Sequence, residues 1–202
     1  GQVQALMAAA AEAFGGIDIL HNNAGVHESM LSSELSLESM SRDTFERVMN
    51  INVTGVWLCS KYALPYLRES TNASIINAGS TSSISGSPQC QAYGASKGAV
   101  MQLSKMLAVD LAPDKIRVNC YCPGSIHTQI VDNYLAAAPD PEAVLNTMTQ
   151  THLIPRMGQP TDVAELVCFL ASPESTFVNG AVWTIDGGSL AWRGTLDVLG
   201  ME

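Results

Sequence analysis

Apolar and polar positions along this chain switch between two periods, and the switches mark out its secondary structure. Gln2 to Phe14 is an alanine-rich stretch that reads as a helix, closed by Gly15-Gly16. Ile17-Asp18-Ile19-Leu20-His21 reads as a strand running into Asn22-Asn23-Ala24-Gly25. After a polar loop, Thr44 to Leu64 carries Phe45, Val48, Met49, Asn52, Val53 and Val56 at helical spacing, and Pro65 ends the pattern. Ser74 to Ala78 is the next strand, followed by a loop of small residues holding Ser80. A long helix carrying Tyr93 comes next, with Val100, Leu103 and Leu107 on one face. Lys115 to Cys120 predicts a third strand ending at Pro123-Gly124, and 126–158 is a long excursion of mixed polarity. Thr161 is the expected cap of a helix through Ala171. Ala181 to Ile185 is the last strand, stopped by Asp186-Gly187-Gly188.

These strands alternate with helices and lie too far apart for hairpins, so they predict parallel βαβ units with right-handed crossovers. In such a sheet ligands collect at the carboxyl ends of the strands. Asn22–Gly25, Ser80 and Pro123–Gly124 all fall at such ends.

Composition narrows the picture. A length of 202 residues fits a single domain, and 47% hydrophobic residues is ample for a core. Charged residues are only 14%, which leans toward surface hidden between subunits. The net charge of −9, with no basic cluster, argues against nucleic acid or an anionic membrane as partner. No apolar run reaches the ~18 residues that span a bilayer, and no basic-then-apolar signal opens the chain. The five cysteines are scattered; Cys120 and Cys122 alternate with Ile116 and Val118 and read as small apolar residues on one face of a buried strand. Neither they nor His21, His27, His127 and His152 have metal-ligand spacing, so no metal is expected and a reduced, cytoplasmic protein is the default.

Tyr93 and Lys97 stand four residues apart on one helix, phenol above ammonium. A free phenol titrates near pH ~10, too high for acid–base work at neutrality. A cation within a few ångströms favours the phenolate and should bring its pKa down.

With this pair in place among the strand-end motifs, the chain resembles the short-chain dehydrogenase/reductase family from residue 2 to about 190. The resemblance rests on Asn22-Asn23-Ala24-Gly25, on Asn52 in Ile51-Asn52-Val53-Thr54-Gly55, and on Ser80 thirteen residues before Tyr93. Tyr93-x-x-x-Lys97, Pro123-Gly124-x-Ile126-x-Thr128 and Asp186-Gly187-Gly188 complete it. It implies a Rossmann-like parallel sheet with helices on both faces. It further implies that Tyr93 is the general acid or base, that Lys97 stabilises the phenolate and holds the nicotinamide ribose, and that Ser80 polarises the reacting carbonyl. Asn52 would hold a water linking Lys97 to solvent; a buried asparagine bonding the backbone is the plainer reading. Asn23, Ala24 and Gly25 would let the cofactor approach, Pro123-Gly124 would lie against the nicotinamide, and Ile126 and Thr128 would hold its carboxamide. Asp186-Gly187-Gly188 would shape a turn.

Departures from the family pattern exist. No glycine-rich phosphate loop occurs, so the resemblance implies that two N-terminal βα units are missing and that the sequence is a fragment of a longer protein. Gly79-Ser80 stands where the family usually has a double serine. The expected function is hydride transfer between NAD or NADP, NAD preferred, and a secondary alcohol or ketone. The domain is expected to span 1–202, with a substrate lid at about 126–158. Tyr134, Leu135, Val144, Met148, Leu153 and Met157 offer that lid an apolar wall, and Gln89, Cys90 and His127 add polar contacts. A homo-oligomer, dimer or tetramer, is expected through the Thr44–Leu64 and Tyr93–Ala112 helices. The alternative reading is a truncated, non-catalytic subunit or binding protein of the same family.

Overall fold

The structure, a computed structural model, describes residues 1–192, 194 and 200; the end of the expected 1–202 domain lies outside them. Helix α1 (Gln2–Phe14) stops at Gly15, whose φ of 78° gives the left-handed turn the glycine allows. Strand β1 (Ile19–Asn22) is followed by α2 (Arg42–Met49), one π turn (Asn50–Thr54) and α3 (Gly55–Leu67). Strand β2 (Ser74–Ala78), helix α4 (Gln91–Asp110) and strand β3 (Arg117–Pro123) come next. The chain closes with α5 (Gln129–Ala137), α6 (Pro141–Gln150), α7 (Pro160–Ala171) and β4 (Val182–Ile185).

The four strands form one sheet in the order β1-β2-β3-β4, every pair parallel, with Ile75 beside Val118 and Tyr121 beside Trp183. All five residues of β2 are buried, as expected of a parallel strand covered on both faces. The strand alternation divides two cores. Leu20, Ile75 and Val118 face α1, α3 and α4, meeting Met7, Ala63, Leu67 and Ala108. Ile76 and Tyr121 face α7 and pack with Leu170, Val167 and Trp183. On this second face the Arg117 guanidinium donates to the Leu170 and Ser172 carbonyls, capping the C-terminus of α7.

Four local expectations change. Helix α3 runs through Pro65 to Leu67, because Leu67 and Ala63 are fully buried in the core and that packing outweighs the lost amide. The helix expected from Thr44 is broken in phase by the π turn, which rotates the α3 segment by about 100° and points Asn52 inward. Thr161 does not cap α7; Gln159 does, in a reciprocal pair with Asp162. Residues 126–158, expected as an excursion, contain α5 and α6. At the far end, the Asp186 carboxylate accepts from the amides of Gly188 and Leu190 and so folds the turn after β4. No helix among the described residues is long and apolar enough to cross a membrane.

Candidate active site

The carboxyl ends of β1, β2 and β3 open on a cleft of about 470 Å³. It brings together Asn23, Gly25, Ser80, Tyr93, Lys97, Pro123, Gly124, Ile126 and Thr128. Ala24 is exposed beside it, and Asn52 is buried behind it. Gln89, Cys90, Tyr134 and Met148 do not line it. Gln89 sits in the loop before α4 with φ of 55°, and Tyr134 is exposed on α5. His127 pairs with Asp132 at 3.0 Å on the exposed part of the lid.

Ser80 comes directly after β2 and caps a short turn, its Oγ accepting from the Ser82 amide at 3.1 Å. Its hydroxyl lines the same cleft as the Tyr93 phenol and acts to lower the phenol's pKa. One turn along α4, the Lys97 Nζ lies 5.5 Å from the Tyr93 ring centre and donates to the Ala78 carbonyl at 2.8 Å. Burial lowers the Lys97 pKa to about 8. Burial raises Tyr93 above its ordinary value, opposed by the Ser80 hydroxyl, while Cys90, Glu28 and Cys122 push it further up. This reverses the direction expected from the sequence: Lys97 is not among the groups that shift Tyr93, its ammonium being directed at Ala78.

Asn52 uses its amide group on protein partners. Its Nδ2 donates to the Val26 carbonyl and the Ser96 Oγ, both at 2.9 Å, and its Oδ1 accepts from the Val26 amide at 2.9 Å. Ser96 in turn donates to the Tyr93 carbonyl at 2.7 Å. The loop after β1 is thereby tied to the turn of α4 that bears Tyr93. Gly25 passes so close that a Cβ there would lie 3.2 Å from the Asn52 Oδ1 and 3.5 Å from the Lys97 Nζ.

Beneath the cleft runs a chain of buried amides and hydroxyls. Asn22 Nδ2 donates to Asn77 Oδ1 at 2.8 Å and to Ser60 Oγ at 3.4 Å, and Asn77 Nδ2 donates to Ser104 Oγ at 2.9 Å. It joins α3, β1, β2 and α4.

Sequence reasoning missed several neighbours. Tyr121 donates to Asn23 Oδ1 and meets His21 Nε2, both at 2.9 Å, along one wall of the cleft. Ile130, Val131, Val163 and Val167 supply apolar wall from α5 and α7. His27 tilts against Tyr93 with ring centres 4.9 Å apart, and its Nε2 lies 3.3 Å from the Cys90 sulfur. Glu28 is wholly buried beside them. Strand alternation alone would have placed Tyr121 opposite Cys120 and Cys122; nothing in the local pattern marks Glu28.

The model of the family described as enoyl-(acyl carrier protein) reductase matches residues 1–189. The meso-2,3-butanediol dehydrogenase of Serratia marcescens is 34% identical over 95% of this chain and 72% of its own. The chain belongs to the short-chain dehydrogenase/reductase family. The ligand-free aldohexose dehydrogenase of Thermoplasma acidophilum superposes with a TM-score of 0.87 at 34% identity, over 95% of this chain and 75% of that one. ElxO, solved with NADP bound, has a TM-score of 0.83 at 32% identity, over 95% and 74%. The four parallel strands between helix layers are the Rossmann-like sheet of this family of oxidoreductases.

Proposed function

We propose that this chain carries the catalytic centre of an NAD(P)-dependent dehydrogenase that interconverts a secondary alcohol and a ketone, with Tyr93 as general acid and base. The observation that carries the reading is that Ser80, Tyr93 and Lys97 line one cleft formed by parallel strand ends, with the Lys97 ammonium 5.5 Å from the Tyr93 ring centre. A substrate oxygen entering between the two hydroxyls receives a hydrogen bond from each. Ser80 polarises the carbonyl and fixes its position, and Tyr93 supplies the proton on reduction or removes it on oxidation.

The cleft suits a nicotinamide and its ribose. Gly25 leaves the backbone close to Lys97, the Lys97 ammonium is a donor in a mostly apolar hollow, and Pro123, Gly124, Ile126 and Thr128 form one side. Asn23, Ala24 and Gly25 are the close-approach segment. The dinucleotide, when bound, supplies or accepts the hydride. NAD is the first cofactor to test, with NADP beside it. Asn52 acts by fixing Val26 and Ser96, which hold the Tyr93 backbone.

Residues 126–158 form the lid, and the substrate is a small or medium, mostly apolar, uncharged molecule. Ile126, Thr128, Ile130 and Val131 line the cleft from the lid; Tyr134 and Met148 reach the substrate on lid closure, and Gln89 and Cys90 lie outside the lid, before α4. Exposed Phe45, Ile51 and Trp57 along α2–α3, with Met106 and Val109 on α4, support a homo-oligomer through these helices.

The acid–base role has a pH signature. Tyr93 has its pKa raised by burial and is protonated at neutrality. Ketone reduction therefore falls, and alcohol oxidation rises, as pH climbs through that pKa. The test is nicotinamide absorbance with the full-length protein, NAD or NADP, and a panel of secondary alcohols from 2,3-butanediol to cyclic alcohols. Turnover on at least one, rising with pH, is expected; no turnover on any would defeat the reading.

A further inference from the structure

Helix α4 carries Tyr93, yet its N-cap residue, Cys90, makes no side-chain capping bond. The acceptor comes instead from the loop after β1. Glu28 Oε1 accepts from the Ala92 amide and Glu28 Oε2 from the Tyr93 amide, both at 3.1 Å, across 64 and 65 residues of chain. Each oxygen takes one N–H, an arrangement that suits the ionised carboxylate. Glu28 has no exposed surface, and its nearest cationic candidate is His27 Nδ1 at 3.8 Å. Burial holds His27 toward its neutral form, so the helix amides are the main partners of this charge.

We propose that Glu28 is a positioning residue that pins the first turn of α4 and, through its negative charge, opposes ionisation of Tyr93. This rests on the reading of Tyr93 as the acid–base group. The positive end of a helix would by itself favour a phenolate one turn in, and a carboxylate seated on that end cancels it. The effect adds to that of burial in holding the Tyr93 pKa up, so alcohol oxidation sets in at higher pH than it would without the carboxylate. The other groups that face Tyr93 are Ser80, His27, Cys90, Cys122, Lys97 and Tyr121, the last pushed well above its ordinary value by burial. Burial pushes Cys90 up to about 11, so it stays a thiol. Cys122, lowered to about 7 chiefly by its hydrogen bond with Cys120, and Lys97, at about 8, titrate before Tyr93 and are common to all variants compared.

The test is a tyrosinate ultraviolet titration of the full-length protein, read as the difference from the same protein carrying Tyr93→Phe, with both carrying Tyr121→Phe because Tyr121 is shifted by Tyr93 and would otherwise enter the difference. In Glu28→Gln the Tyr93 midpoint should fall on the order of 0.5–1 pH unit, and the oxidation limb of the pH–rate profile should move down with it. A purely structural Glu28 would lower the melting temperature and leave the midpoint where it was, which would overturn the proposal. Glu28→Asp keeps the charge on a shorter arm and should melt earlier than the parent while holding the midpoint near it. If Glu28→Gln does not fold, Glu28→Asp decides: an undiminished melting temperature, or a midpoint that falls, contradicts the proposal. The titration needs no turnover. An active Tyr93→Phe enzyme would sink the acid–base reading without touching this result, and a fixed midpoint in Glu28→Gln would do the reverse.

Discussion

At the carboxyl ends of β1 and β2 the buried amides bond to one another and to their neighbours: Asn22 to Asn77, Asn77 to Ser104, Asn52 to Val26 and Ser96. Beyond β3, by contrast, α6 buries no side chain fully, and Tyr134 and Leu145 lie open to solvent. Both regions border the same cleft, through Ser80 and Lys97 on one side and Ile130 and Val131 on the other. The floor is a buried polar network whose members fix one another and, through Ser96, the backbone turn that bears Tyr93. The lid has few buried contacts, which places it at the low end of local stability and leaves it free to adapt to a substrate. On the proposed function, the chemistry belongs to the floor and the choice of substrate to the lid.

The strongest way to break this division is at the floor. Tyr93→Phe removes one oxygen and no packing, so it should lower kcat about 10²–10⁴-fold with an unchanged melting temperature. A variant keeping more than about a tenth of the parent rate would remove Tyr93 from the acid–base role.

Asn77→Leu tests whether the amide chain holds the floor together. It removes both Asn77 bonds from a buried site, leaving Asn22 only its long bond to Ser60 and Ser104 its bond to the Val100 carbonyl, and should cost about 2–4 kcal/mol in denaturant unfolding. A loss under about 1 kcal/mol would mean the network is replaceable.

Lys97→Met probes the buried lysine of the cleft floor. Its folded pKa of about 8 lies below that of a free lysine, so burying the charge costs the folded state stability at low pH. That cost is full below about pH 8 and disappears as pH rises toward the free-lysine value near ~10.4, because the unfolded chain holds the extra proton across that window. Lys97→Met should therefore be more stable than the parent at pH 7, by about 1–3 kcal/mol after the lost bond to Ala78, with the gap closing by about pH 10. It should also lose cofactor affinity. Melting curves across pH check the first claim; a variant less stable than the parent at pH 7 contradicts it.

The lid gives the smallest effect. Tyr134→Ala should leave kcat and stability nearly unchanged and shift KM by less than about tenfold, to a degree that differs between substrates. A collapse of kcat here would erase the distinction between floor and lid.

Legibility in the sequence divides along the same line between local and long-range contacts. The strands, α1 and α4 announce themselves because alternation and helical spacing are local. Ser80, Tyr93 and Lys97 are marked by register within one segment of chain. The π turn was not legible, since apolar residues keep helical spacing on both sides of Asn52 and only the fold shows the slip in phase. Pro65 and Thr161 misled for a related reason: a local stop or cap signal lost to burial of Leu67 and to the Gln159–Asp162 pair. The acidity of Tyr93 runs opposite to the expectation drawn from Lys97, because burial, a property of the whole fold, raises it while the Lys97 ammonium is directed at the Ala78 carbonyl. Glu28 was invisible in a polar loop, its partners being backbone amides on a helix far along the chain.

The central claim is that the floor of this cleft moves a hydride between a carbinol carbon and a nicotinamide while Tyr93 handles the proton. A secondary alcohol that turns over, carrying deuterium on its carbinol carbon, tests this most directly when incubated with the full-length protein and NAD or NADP. The account predicts deuterium on C4 of the reduced nicotinamide, one atom per ketone formed, and none above background with Tyr93→Phe. Ketone formed with an unlabelled nicotinamide, or equal label transfer by the Tyr93→Phe protein, would contradict it.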